Sequence, residues 1–344
     1  MTNNQWFSLI KLVQGKSLGT LPVGFIIDCP WLPNWAGVKM IDYFTSGEAW
    51  FNCHLKAAET FPGIWFLPGF WSEFGMCTEP SAFGARCTFH ENEFPHAHQV
   101  IASPDEIDRL TKPDPGSDGL LPFMLRRLVR YRSVIEKAGH QIRFSVSRGP
   151  LNIASYLMGT TEFLTLILME PEKAHRLIRL ITDFLHEWHD LQKKTIDSID
   201  GIFMLDDLIG FMSGEQFAEF GLPYFKELYD RPLSVRFLHN DAPCRESAPL
   251  LSGIGVNLFN MGVDVPLKEL RDLCGPGVTL MGNLPPRDVL AAGNPEQIGT
   301  TARKMIRDLE DNRYFLPSCG GGMPPGVSTE NIQAFVDAVV CGCR

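Results

Sequence analysis

Gly201-Ile-Phe-Met-Leu-Asp-Asp207 opens a stretch that closes at Cys319-Gly-Gly-Gly322, and one pattern repeats through it. A short apolar or aromatic run stops at polar residues. Ser234-Val-Arg-Phe-Leu238 stops at His239-Asn-Asp241, and Gly255-Val-Asn-Leu-Phe259 at Asn260-Met-Gly262. Val278-Thr-Leu-Met281 stops at Gly282-Asn283, and Tyr314-Phe-Leu-Pro-Ser318 at Cys319. Such runs between turn signals read as buried strands. Weaker strand candidates precede them at 23–27, 63–67 and 142–146. Stretches at helical spacing lie between. The spacing predicts helices over 170–196, with Pro171 in the first turn, and over 214–229, with Ser213 as cap and Gln216 three residues on. Ser328 or Thr329 caps the last helix.

Strands alternating with helices predict a parallel α/β fold. Polar residues at the C-terminal ends of the strands are where a (β/α)8 TIM barrel builds its site. No linker, repeat or change of composition divides the chain, so residues 1–344 read as a single barrel domain with an N-terminal extension. A doubly wound sheet would carry an early Gly-rich turn, and none occurs. P-loop, His-Glu-x-x-His and Gly-x-Ser-x-Gly motifs are absent.

The 344 residues hold 31 Lys and Arg against 40 Asp and Glu, a net charge of −9. That sign excludes a sequence-independent nucleic-acid binder and disfavours an anionic membrane surface. Hydrophobic residues make up 44% of the chain, enough for a large core. No apolar run approaches the roughly 18–20 residues that span a bilayer. Met-Thr-Asn-Asn-Gln-Trp-Phe lacks the features of a signal peptide. Nine irregularly spaced cysteines read as reduced thiols, which points to the cytoplasm. Cys341-Gly-Cys343 reads as an incidental frayed end.

Several segments together resemble the uroporphyrinogen decarboxylase superfamily. They are the Asp206-Asp207 pair, taken to follow the fifth strand, Phe217-Ala-Glu-Phe220 with Leu222-Pro-Tyr224, and the His239 strand end. Leu280-Met-Gly-Asn-Leu-Pro-Pro286 and Cys319-Gly-Gly-Gly with Ser328-Thr-Glu-Asn-Ile332 complete the set, and a weaker match runs from Val23 through Ser103-Pro-Asp-Glu-Ile-Asp-Arg-Leu110. The resemblance implies a (β/α)8 barrel from one of two branches. One decarboxylates uroporphyrinogen without metal or cofactor. The other transfers methyl groups to or from a cobalt corrinoid held on a small separate protein, and its members bind zinc through His-x-Cys and a distant Cys.

The decarboxylase branch carries Arg-Gln-Ala-Gly-Arg-Tyr near its N-terminus, whose arginines bind substrate carboxylates. Asp28-Cys-Pro-Trp-Leu-Pro-Asn-Trp-Ala-Gly37 stands there instead, and the first arginine of the chain is Arg86. An octa-acid site without forked donors makes poor electrostatic sense. His239 and Cys319 fall where the methyltransferase branch has its first and last zinc ligands, and Asp241 where it has the middle Cys. Zinc accepts this donor set and keeps a position open, but Asp oxygen is a harder donor than sulfur. Cys244 is an alternative ligand.

Asp206 and Asp207 are candidates for acid/base catalysis, for holding substrate, or for giving the zinc a carboxylate; a helix cap with a barrel salt bridge is the alternative. His90, His96 and His98 with Glu91 and Glu93 read as a solvated loop. Six of the seven tryptophans fall within the first 71 residues. Trp31, Trp35, Phe70 and Trp71, in Pro- and Gly-rich loops, are expected at the barrel mouth as pocket walls and docking surface, and Asn283 as a further substrate contact. The expected function is therefore zinc-dependent transfer of a methyl group from a small methyl ether, as in O-demethylation of an aromatic donor, to the cobalt of a corrinoid protein. Transfer from methyl-cobalt to a thiol, decarboxylation, and a non-catalytic corrinoid- or tetrapyrrole-binding barrel are the alternatives.

Overall fold

The computed structural model describes residues 1–309 and 311–342, so Cys343 lies outside the described residues. Among them are eight parallel strands in chain order: β1 (Val23–Ile26), β2 (Ile64–Leu67), β3 (Phe144–Arg148), β4 (Gly201–Leu205), β5 (Val235–Asn240), β6 (Leu258–Met261), β7 (Thr279–Leu284) and β8 (Phe315–Cys319). β1 pairs with β2, and β3 through β8 form a six-stranded parallel sheet in sequence order. β1 also lies along β8, and a Cβ at Gly24 would stand 2.7 Å from the Leu316 side chain. A short antiparallel hairpin, Cys87–Thr88 with His96–Ala97, stands outside this set.

The alternation of each strand divides the core in two. Phe144, Val146, Phe203, Phe237, Leu258, Met281 and Leu316 meet inside the barrel. Residues of opposite parity pack against the surrounding helices. The helix Pro171–Thr195 is fastened to β3 by polar contacts as well. His189 bonds both Ser145 and Ser147 at 2.9 Å. The Gln192 carboxamide pairs with both backbone groups of Val146, at 2.9 and 3.0 Å, as a neighbouring strand would.

The N-terminal helix, Asn3–Val13, begins with a Thr2–Gln5 capping box. Its apolar face (Trp6, Leu9, Leu12, Val13) joins the barrel's interior core, with Trp6 edge-on to Phe144 at 5.3 Å. Gln5 donates to the Ile64 carbonyl at 3.2 Å, and Gln141 N–H donates to the Met1 carbonyl at 2.7 Å. The helix thus bridges the lower ends of β2 and β3. At their upper ends Arg148 pairs with Glu73 at 3.2 Å.

The α/β barrel expected from the alternation is present. Asp206-Asp207, however, follows the fourth strand and not the fifth. The third strand lies two residues later than 142–146, because the polar alternation Ser145, Ser147, Arg148 hides a strand whose hydroxyls meet His189. The helix expected over 214–229 is broken at Gly221 into Gly214–Phe220 and Leu222–Tyr229, where Pro223 starts a new first turn. The Ser213–Gln216 capping box forms as expected. No single helix among the described residues is long and apolar enough to cross a membrane; one pair, Pro150–Met158 with Thr160–Met169, passes by length and composition only together, bent by 107°.

Trp6→Ala leaves a hole in the interior core and is expected to cost about 3–5 kcal/mol. Chemical denaturation checks this: the midpoint falls while the slope stays that of the wild type.

Candidate functional site

On β5, Phe237 and His239 share the face that looks into the barrel, and Asp241 follows directly after the strand. Phe237 belongs to the packed core, while His239 and Asp241 lie beyond it, beside Asp207 at the end of β4. Ligand atoms of Asp207, His239 and Asp241 all fall within 4.8 Å of one another. Asp207 Oδ1 stands 3.8 Å from His239 Nε2 and accepts the Asp241 N–H at 2.9 Å.

The imidazole is oriented from behind. Asn260 Nδ2 donates to the carbonyls of Met281 at 2.7 Å and Cys319 at 3.3 Å, which turns its Oδ1 toward His239 Nδ1 at 2.8 Å. Nδ1 is therefore the ring donor to Asn260, and Nε2 is the nitrogen that faces the two carboxylates. This is how metal-binding histidines are usually fixed. Burial raises the Asp207 pKa; the charge of His239 opposes the shift, and that of Asp241 adds to it. One nitrogen and two carboxylate groups fit a divalent cation such as zinc, with a coordination position left open.

The loop after β8 is shaped to these carboxylates. Gly321 has φ 75°, and a Cβ there would stand 2.8 Å from the Asp241 Cβ. A Cβ at Gly322 would meet Asp28 Oδ2 at 2.7 Å. Asp28 follows β1. It lines both a chamber of about 200 Å³, with Trp71, Glu73, Arg148, Tyr156, Asp207 and Asp241, and an adjoining cleft of about 780 Å³ that contains His239. Its pKa is driven well above the carboxylate range by burial first and by Glu73 next, with Arg148 opposing. The chamber's guanidinium is already engaged: Arg148 pairs with Glu73, while its own backbone N–H donates to Glu79 at 3.2 Å.

The expected ligand set is redrawn at one position. Cys319 does not join the cluster; its thiol lies 3.5 Å from the Gly321 carbonyl, and burial pushes its pKa up to about 12. Asp207 stands in its place, as the strand-end carboxylate that the sequence offered. Cys244 is also outside, buried beside Asp264, which accepts its backbone N–H at 3.1 Å. Asp206 is sealed at 0% exposure; its carboxylate accepts N–H bonds from Leu151, Asn152 and Leu208, anchoring the helix Pro150–Met158 at its N-terminus. That is the cap alternative, and no part of Asp206 is open to a substrate.

The aromatic residues separate in the same way. Trp71 walls the chamber, its indole N–H held by the Ile27 carbonyl at 2.6 Å. Trp31 is fully buried, stacked on Trp35 at 5.1 Å and bonded to the Val327 carbonyl. Trp35 is partly exposed and bonds Thr329 at 3.0 Å. Phe70 lines a separate cavity of about 110 Å³ with His54 and His140. Asn283 ties down a loop by donating to the carbonyls of Gly262 and Val265. Of the five residues expected to touch substrate, Trp71 alone lines the chamber; Trp31 and Phe70 belong to packing, as their indole partner and ring neighbours show. Of the histidine cluster, His90 and His96 are exposed, with Glu91 paired to Lys39, whereas His98 is half-buried and bonds Thr88 at 2.8 Å beside the Cys87–Thr88 hairpin. Sequence reasoning missed Glu73, Arg148 and Tyr156, and saw Asp28 only as the start of a stretch without arginine. The signal for Arg148 was a charged residue closing a short strand, as Asp206-Asp207 displayed more openly, and Glu73 lies in the loop after β2 with no such signal.

Comparison with known proteins fits this architecture. The family model for uroporphyrinogen decarboxylase (URO-D) matches residues 13–340. Human uroporphyrinogen decarboxylase is 23% identical over 278 residues, 76% of this chain and 73% of the human one. The methylated-thiol–coenzyme M methyltransferase of Methanosarcina mazei is 27% identical over 191 residues, 55% of this chain and 50% of that protein. A solved methyltransferase from Methanosarcina mazei superposes with a TM-score of 0.81 over 96% of both chains at 17% identity, which speaks for the fold. With nearly its whole length matched by the family model, the chain belongs to the uroporphyrinogen decarboxylase family.

Proposed function

We propose that this chain is a metal-dependent methyltransferase that moves a methyl group from a small methyl ether to the cobalt of a corrinoid carried on a small partner protein. The observation that carries the reading is the Asp207–His239–Asp241 cluster, with His239 fixed by Asn260, at the mouth of a small acid-rich chamber. The similarity to a methyltransferase over 55% of the chain supports it. A tetrapyrrole octa-acid fits the chamber poorly, because Asp28, Glu73, Asp207 and Asp241 face Arg148 alone, and Arg148 is already paired.

Asp207, His239 and Asp241 would hold zinc, which when bound supplies Lewis acidity at the ether oxygen. The chain's own residues do the rest. Asn260 keeps the imidazole in the tautomer that offers Nε2. Trp71 and Tyr156 wall the chamber, so a donor is oriented before the partner arrives. A second reading, with a thiol as the methyl-carrying substrate, is favoured by the methylated-thiol specificity in the name of the Methanosarcina relative. The carboxylate oxygens in the cluster favour an oxygen donor. The partner is expected to dock on the rim, where Met76, Phe94 and Val263 are exposed beside the cleft; the tryptophan loops are too buried for this. The eight described cysteines are free thiols, in keeping with a cytoplasmic enzyme.

Protein prepared without chelators is expected to carry about one zinc per chain. Elemental analysis should find it lost from His239→Ala and Asp241→Ala and retained by Cys319→Ser; loss from Cys319→Ser alone would restore the thiolate as a ligand. Asn260→Ala should weaken zinc about 10–100-fold, read by competition with a chelator. Uroporphyrinogen should not be turned over, and coproporphyrinogen formed at enzymatic rates would favour the other branch. Val263→Glu should raise the half-saturating concentration of corrinoid protein in the methyl-transfer assay with zinc content unchanged; an unaltered value would move the docking surface elsewhere.

A further inference from the structure

The Asn152 and Trp71 donors on the chamber wall, and part of the Arg148 guanidinium, are already engaged. The Arg148 guanidinium bonds Glu73 and reaches Thr78 at 3.5 Å. Asn152 uses Nδ2 on the Leu205 carbonyl and Oδ1 on the Leu208 N–H. The Trp71 indole is held by Ile27. The Tyr156 hydroxyl and the rest of the guanidinium apart, what faces the chamber is a set of acceptors, and Asp28 is the least satisfied of them. Its Oδ1 is buried and accepts no hydrogen bond, while the rest of the side chain opens onto both the chamber and the cleft. Gly322 presses on Oδ2 so closely that any side chain there would collide with it. A carboxyl group enclosed in this way without a partner is costly, and a ligand that brings a donor relieves the cost.

We propose that Asp28 is the specificity residue of the chamber: it receives an O–H of a small uncharged ligand, and the chamber rejects a carboxylate in that place. Resting on the methyl-ether reading, this makes the donor class a monocyclic methyl ether with a free hydroxyl group. Size agrees, since a chamber of about 200 Å³ suits one ring and not a macrocycle. The rejection has the same origin as the preference. A carboxylate placed beside Glu73, Asp207 and Asp241 would meet acceptors and a guanidinium that Glu73 already holds.

The test uses binding to the zinc-loaded full chain, measured by calorimetry. Three probes of similar size are compared: 2-methoxyphenol, 1,2-dimethoxybenzene and 2-methoxybenzoate. Wild type should prefer the phenol by roughly tenfold or more over each of the others, as expected for one hydrogen bond to a charged or buried group. Asp28→Ala should erase the preference over the dimethoxy compound. Asp28→Asn, which keeps an acceptor and the shape, should retain part of it. Equal binding of the three probes to wild type, no binding of the phenol, or an unchanged preference in Asp28→Ala would each overturn the proposal. Circular dichroism and zinc content of the variants exclude misfolding as the cause. Preference for the phenol without methyl transfer would uphold Asp28 and sink the reaction; methyl transfer without the preference would do the reverse.

Discussion

Glu73 and Arg148 pair at 3.2 Å where the hydrogen-bonded ladder of the barrel is interrupted, and both are nearly sealed from solvent. A buried pair repays its desolvation only when the remaining donors and acceptors are satisfied. Here the Cys29 N–H donates to Glu73 at 3.0 Å, and the Arg148 N–H to Glu79. The pair thus ties the end of β1, the loop after β2 and the end of β3 into one structure. It also decides the electrostatics of the chamber. With its cation used for architecture, the chamber offers acceptors, and the shape of Asp28, Asp207 and Asp241 around it follows.

The second fixed point is Asn260. It links β6, β7 and β8 through one carboxamide and passes the result to His239. Orientation of the imidazole is therefore inherited from the barrel itself and not from a loop, which is the firmer support for a reactive group. Gly321 and Gly322 complete the arrangement by letting backbone approach carboxylates that any larger residue would displace.

The barrel was legible because strand ends and polar residues coincide in the second half of the chain. His239 and Asp241 were legible for the same reason, as alternate residues at one strand end. What was hidden lay in the third dimension. Asp206 and Asp207 look alike in sequence, but alternate backbone directions send one into a helix N-terminus and the other to His239. Cys319 occupies a matching sequence position, yet its thiol turns to Gly321. Trp31 and Trp35 sit in a Pro-rich segment that reads as a loop, yet Trp35 lies in a short helix, Leu32–Ala36, and Trp31 directly before it stacks on Trp35. Arg148 and Glu73 stand 75 residues apart, and nothing local announces that they meet.

The helix Asn3–Val13 fills the lower end of the barrel with Trp6, Leu9 and Leu12. With the base stoppered, the cleft that reaches His239 and Asp241 opens at the rim. A small molecule that reaches Asp207 and His239 crosses the rim that a macromolecular partner would cover, so the two visitors are separated in time and not in space. Under the proposed reaction the small one would arrive before the rim is covered, and what remains of it would depart after the rim is free. Such traffic gives the stopper, far from any reacting atom, a part in setting the order of events.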